Sequence, residues 1–310
     1  ARETETMMEV HELCAPRRGN EGEVLTVLML HCAGFHGRVY RRIATALRDK
    51  FEGEVRVLAP DFRGHGDTAA GDESSFTWYQ MARDLVEIVK SENVEGKAVV
   101  LGHSLGAVVG LIAEIENPGI FRGVWCFEPV LFADVNGLKY SQFFSVKARG
   151  RKSTFASHQE AFENFRTKRP TKLLDTQCLR DYVWDGFRAR GNGGVELKCA
   201  PEVEARTYLA GFETFKRGIN EELKDITCPV VLACGSNVGA ENVVSQNADL
   251  FAGKFRRGRL ERYGDLGHFG PFEQPEFVAE RLLTFIREDV AGGPSLPRYM
   301  HWNLSWRSKL

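Results

Sequence analysis

The stretch Gly102-His103-Ser104-Leu105-Gly106 joins an apolar run, Ala98 to Leu101, to a segment from Leu105 to Ile115 with apolar residues at three- and four-residue spacing. A serine on a sharp strand-to-helix turn projects its hydroxyl, and glycines two positions either side let neighbouring backbone pass closely. The helix that follows directs free N–H groups and partial positive charge at negative charge developing near its N-terminus. This suits attack of an alcohol on a carbonyl, which needs a base and an acid that orients the base. His268 is the base candidate, in the glycine-rich loop Gly264-Asp265-Leu266-Gly267-His268-Phe269-Gly270-Pro271 just ahead of the last helix. Of the other histidines, His31 and His65 lie in early loops suited to backbone support, His103 is inside the turn itself, and His301 is near the end. Glu128 is the acid candidate, because it follows the apolar run Val124-Trp125-Cys126-Phe127 and precedes Pro129. A carboxylate at the end of a buried strand needs a partner. A histidine that becomes cationic would supply one and would be held meanwhile in a single tautomer. Glu241 and Asp265 are its rivals for the role.

These groups need a scaffold that brings distant loops to one edge. Val24 to Leu30, Val55 to Leu58, Ala98 to Leu101, Val124 to Phe127 and Val230 to Ala233 are short apolar runs, each next to a helical pattern. Near-continuous apolarity is what a strand covered on both faces requires. The alternation predicts an α/β fold with a mostly parallel sheet and helices on both faces. Phe76 to Val89 and the stripe Phe277, Val278, Leu282, Phe285, Ile286 behind Pro275 are predicted helices. Between about Leu131 and Gly211 the alternation stops, and helical pieces such as Gln159 to Thr167 and Leu179 to Phe187 take its place. The expected organisation is a first core part at 1–130, a helical cap or lid at 131–211, a second core part at 212–290 and a tail at 291–310. Such an insertion over the C-terminal edge of the sheet would exclude water and shape a pocket.

Composition narrows the partners. The 310 residues carry 41 basic and 42 acidic side chains, a formal net charge of −1. That balance gives no global attraction to nucleic acid. No run approaches eighteen apolar residues, so no spanning helix is expected. The seven cysteines are scattered without a Cys-x-x-Cys, which suggests ordinary core thiols in a reducing compartment. Neither a metal nor a cofactor is expected. Ser308-Lys309-Leu310 is the peroxisomal address tripeptide, which predicts a matrix enzyme and an import receptor as its partner.

With these residues in view, the chain resembles the α/β-hydrolase superfamily across roughly residues 23–290. His31-Cys32-Ala33-Gly34-Phe35-His36-Gly37 resembles the family's oxyanion loop, and Asp61-Phe62-Arg63-Gly64-His65-Gly66 resembles its Arg-Gly-His-Gly turn. The order Ser104, Glu128, His268 follows the family's nucleophile, acid and histidine. The resemblance implies oxyanion donors at the N–H groups of Leu105 and Ala33, with Cys32 standing where a glycine is usual. Val238 stands where the family's common aspartate would be. That absence fits relatives, haloalkane dehalogenases among them, whose acid follows the sixth strand. Serine rather than aspartate at the turn directs the expectation away from dehalogenase and epoxide-hydrolase chemistry. The insertion and the end tripeptide resemble those of peroxisomal lipase-like and fungal toxin-pathway hydrolases.

The leading expectation is a cofactor-independent serine hydrolase cleaving a carboxylic ester or lactone through an acyl-enzyme. Eight basic residues against two acidic, Glu160 and Glu163, lie between Lys147 and Lys172. A cluster there could hold the phosphates of an acyl-CoA thioester instead. The same machinery is open to cleavage of a carbon–carbon bond beside a ketone, and the scaffold to non-catalytic binding of a small molecule. Phe35, His103, Phe143, Phe144 and Trp184 are the candidate substrate-lining residues.

Overall fold

The computed structural model describes residues 8–16, 24–72, 76–191, 193–235, 243–292 and 299–302. The first core part holds β1 (Val10–Cys14), β2 (Val24–Leu30), α1 (Arg41–Lys50), β3 (Glu54–Pro60), α2 (Trp78–Ser91), β4 (Ala98–His103), α3 (Leu105–Glu116) and β5 (Gly123–Phe127). An insertion follows with α4 (Gly137–Arg149), β6 (Thr154–Phe155), α5 (His158–Thr167), α6 (Thr176–Gly186), β7 (Phe187–Ala189), β8 (Val195–Leu197) and α7 (Pro201–Lys216). The second core part holds α8 (Ile219–Glu222), β9 (Val230–Cys234), α9 (Val243–Ala252), β10 (Gly258–Tyr263), α10 (Gly270–Glu273), α11 (Pro275–Phe285) and β11 (Tyr299–Trp302).

Eight strands form one sheet in the order β1-β3-β2-β4-β5-β9-β10-β11. Only β1 runs antiparallel to its neighbour β3; the other neighbours are parallel. Side chains of a strand alternate between faces, and here they feed two cores. Val27, Met29, Val99, Leu101, Trp125 and Phe127 pack with α1 and α11, whereas Leu28, Leu30, Val100, Val124 and Cys126 pack with α2, α3 and α9. Both faces are therefore covered, as a parallel sheet needs.

Local signals set the helix ends. The Thr77 hydroxyl accepts from the Gln80 N–H at 3.0 Å and starts α2. Asp175 accepts from the N–H groups of Gln177 and Cys178 and starts α6, while Pro275 occupies the first turn of α11.

The insertion differs from the all-helical expectation. It contains a small antiparallel sheet in the order β6-β8-β7, whose strands of two and three residues are too short to show a period in sequence. Helix α7 runs on to Lys216, through the expected limit at 211.

All seven cysteines are free and buried. Burial disfavours the thiolate at each of them, and at Cys234 it pushes the thiol up to about 11. Relative to an ordinary thiol this leaves about a hundredth of the reactive anion at pH 8. Iodoacetamide should therefore alkylate Cys234 about 100-fold more slowly in the folded protein than in the urea-unfolded chain. Comparable rates in both states, followed by mass spectrometry, would contradict this packing.

Candidate active site

Ser104 sits between β4 and α3 with φ 54° and ψ −114°, a left-handed conformation that a non-glycine residue holds only when its surroundings enforce it. Two glycines make that bend possible. A Cβ on Gly102 would lie 2.5 Å from the Ala107 Cα, and one on Gly106 would lie 2.2 Å from the Leu30 carbonyl oxygen. The Ser104 N–H donates to the Phe127 carbonyl at 2.9 Å, and its side chain does not cap α3. Backbone ties thus fix the turn, and the hydroxyl is left to chemistry.

Glu128 follows β5 with φ 45° and is fully buried. Its Oε2 accepts from His268 Nδ1–H at 2.6 Å, which leaves Nε2 of that ring as the proton acceptor. Its Oε1 accepts from the Gly235 N–H at 2.8 Å and from the Ser245 hydroxyl at 3.2 Å. Just after β9, Gly235 contributes this backbone donor, and Val238 lies outside the described residues. Because β5 and β9 are hydrogen-bonded neighbours, a carboxylate one strand over reaches the same histidine. Asp265 is three residues before His268, but the carboxylate on Nδ1 is that of Glu128; Glu241 lies outside the described residues.

His103 ties the serine turn to the histidine loop. Its Nε2–H donates to the His268 carbonyl at 2.8 Å, and the two rings lie 5.0 Å apart. Burial, and then the neighbouring His268, hold the His103 imidazole well below its usual range. It is a neutral tether walled in by Phe127, Phe269 and Phe272. It is fully buried.

The loop from His31 to Gly37 is held by the core. His31 Nε2 accepts from the Phe62 N–H at 2.9 Å, so its Nδ1–H donates to the Cys32 carbonyl at 2.8 Å. Burial, and then His65, push this imidazole down to about 3, so the donor tautomer stays neutral. The Phe35 N–H donates to the same carbonyl at 3.2 Å. Two donors on the Cys32 oxygen turn the other end of that peptide, the Ala33 N–H, in the opposite direction. The sequence assigned His31 to backbone support, and it orients the peptide that bears the expected donor. Further along, the Gly37 N–H donates to Asp61 Oδ1 at 2.6 Å.

His11, Asp61 and Asp67 bring ligand-type atoms within 4.8 Å of one another. Their oxygens are engaged by His11 Nε2, the N–H groups of Gly37 and Asp67, Arg38 and Lys198. This group is a polar brace behind the loop, formed by cations and backbone donors.

The remaining candidate lining residues separate. Phe35 is buried in a stack between Tyr182, at 4.5 Å, and Phe272, at 5.2 Å. Phe144 packs between Tyr140 and Tyr208 at 4.5 and 5.4 Å, joining α4 to α7. Phe143 and Trp184 point outward, 48% and 36% exposed, beneath Lys147 and Arg180 respectively. Counting charges along the sequence also overstated the basic cluster. Arg149 pairs with Glu202, Arg151 with Glu204, Lys152 with Glu160 and Arg166 with Glu163. Two of these acids come from α7, outside the counted segment.

Comparison with known proteins matches residues 27–281 to the alpha/beta hydrolase family. The chain is 25% identical to protein phosphatase methylesterase 1 of Cryptococcus neoformans over 272 residues, 82% of this chain and 62% of that relative. It is 24% identical to the uncharacterized hydrolase YugF of Bacillus subtilis, over 80% of this chain and 85% of that one. Among solved structures, E-2-(acetamidomethylene)succinate hydrolase superposes with a TM-score of 0.73 at 18% identity, covering 90% of this chain and 95% of its own. The peroxisomal alpha-beta-hydrolase Lpx1 from Saccharomyces cerevisiae gives a TM-score of 0.71 at 20% identity, covering 97% and 93%. At such identities these superpositions speak for the fold. With most of its length matched by the family's own pattern, the chain belongs to the alpha/beta hydrolase family.

Proposed function

We propose that the protein is a serine hydrolase that cleaves carboxylic esters or lactones through an acyl-enzyme on Ser104. One observation carries the reading: the buried Glu128 carboxylate on His268 Nδ1, in a loop that His103 fastens to the serine turn. His268 Nε2 takes the hydroxyl proton as Ser104 Oγ attacks the carbonyl carbon. The oxyanion is received by the N–H groups of Leu105, at the start of α3, and Ala33. His268 then returns the proton to the departing alkoxide, and water repeats the sequence to release the acid. Glu128 steadies the imidazolium and its tautomer throughout.

The 131–211 insertion acts as a lid in this scheme. The chain spans 62% of the length of the matched Cryptococcus methylesterase. A panel of p-nitrophenyl esters of graded acyl length, lactones and acyl-CoA thioesters tests the proposal. Oxygen esters or lactones are expected to turn over, and turnover of thioesters alone, or of nothing, would overturn it. Ser308-Lys309-Leu310, when it carries the free carboxylate, supports a peroxisomal address. A fluorescent protein fused ahead of residue 1 should then be punctate and become diffuse when the tripeptide is deleted; an unchanged pattern would reject the address.

A further inference from the structure

The core holds the oxyanion loop at its ends and packs Phe269 and Phe272 against Phe35, while Gly34 and His36 are held from the insertion. Gly34 has φ 75°, and a Cβ there would stand 2.7 Å from Glu204 Oε1 and 3.2 Å from Arg151 Nη1. Glu204 lies in the first turn of α7 and Arg151 just ahead of β6, and the two form a salt bridge with little exposure at the carboxylate. The second Arg151 nitrogen, Nη2, donates to the Tyr182 hydroxyl at 2.6 Å. Tyr182 in turn accepts at its carbonyl from His36 Nε2 at 3.2 Å and lays its ring against Phe35. The Cys199 thiol lies against the Gly34 N–H. Residues 34–36 are thus enclosed by three parts of the insertion, directly after the residue whose N–H is to receive the oxyanion.

We infer that Glu204 and Arg151 are positioning residues for the oxyanion donor at Ala33, clamping Gly34 from the insertion so that the donor keeps its direction. The inference rests on the serine mechanism proposed above. Its physical basis is that hydrogen-bond donors stabilise a developing oxyanion only when they already point at its future position. A displacement of about 1 Å can cost about a hundredfold in rate. A charged pair in which the carboxylate is only 9% exposed is suited to hold such a loop, because losing one partner strands the other in a poorly solvated place.

The competing role is a pair that merely staples the insertion to the core. The two differ in how a variant treats an oxygen ester and its thionoester, in which the carbonyl oxygen is sulfur. N–H donors stabilise an oxyanion better than the larger, softer sulfur anion, so an intact hole favours the oxoester. Glu204→Gln should lower kcat on the oxoester roughly 10- to 100-fold, with KM changed less than about threefold. The ratio of oxoester to thionoester rates should fall by a similar factor. Arg151→Lys, which keeps the charge but not the fork, should show a smaller fall of the same kind and carries the test if Glu204→Gln does not fold. An unchanged oxoester-to-thionoester ratio in a folded variant would overturn the inference even if kcat fell, since a staple would slow both esters alike. Absence of wild-type ester turnover would instead reject the underlying serine mechanism, and this clamp with it.

Discussion

Replacing Ser104 by alanine is expected to lower ester turnover about 10⁶-fold while leaving the fold unchanged. The expected size follows from the way the groups act as one unit. Without the hydroxyl, neither His268 nor the N–H donors have a covalent step to assist. What remains is stabilisation of a direct attack by water, which is slow. The structural cost is small because the turn is held through backbone groups, the Ser104 N–H to the Phe127 carbonyl and the close contacts at Gly102 and Gly106. Relief of the left-handed φ does not follow, since alanine occupies the same bend. Circular dichroism and thermal melting should match the wild type. A folded Ser104→Ala enzyme with turnover within about a hundredfold of wild type would remove Ser104 from the mechanism.

The second large effect is expected at Glu128. Glu128→Gln keeps the volume and the bonds available from Gly235 and Ser245, but its amide cannot hold an imidazolium on Nδ1 as a carboxylate does. The amide nitrogen can also donate to Nδ1, which stabilises the tautomer with its proton on Nε2, where the serine proton must go. A fall of about 10⁴-fold in kcat is expected, by analogy with the same exchange in another serine hydrolase. The proton cost is specific to the base, so KM should change little. If kcat for Glu128→Gln stayed within about tenfold of wild type, the orienting acid would have to be sought elsewhere.

How much of this was legible in the sequence depended on whether the deciding interaction was local. Strands β2, β4, β5 and β9 read clearly because both their faces are buried, which leaves apolar runs. Strand β10 did not, because Arg259 and Glu261 interrupt it; inside the fold Glu261 is matched by Arg259 and Arg281. Strand β1 lies at the edge of the sheet and carries His11 and Glu12, so it lacks the apolar run of a buried strand. The serine turn was readable for the opposite reason, since its glycines and its strand-to-helix context are contiguous. Choosing between Glu128 and its rivals was not, because adjacency of β5 and β9 is a property of strand order. The Arg151–Glu204 contact joins residues 53 apart in the chain, and nothing in either neighbourhood announces it. His103 was visible in the turn, but its bond to the His268 carbonyl, which makes it a tether, joins residues 165 apart in the chain.

The most direct test of the account is to treat the folded protein with a fluorophosphonate and map the adduct by tandem mass spectrometry. An activated oxygen nucleophile displaces fluoride and retains the phosphonyl group. The account predicts one modification, on Ser104, formed with complete loss of ester turnover and slowed in Glu128→Gln. Folded protein that hydrolyses esters yet stays unmodified at Ser104 would contradict it.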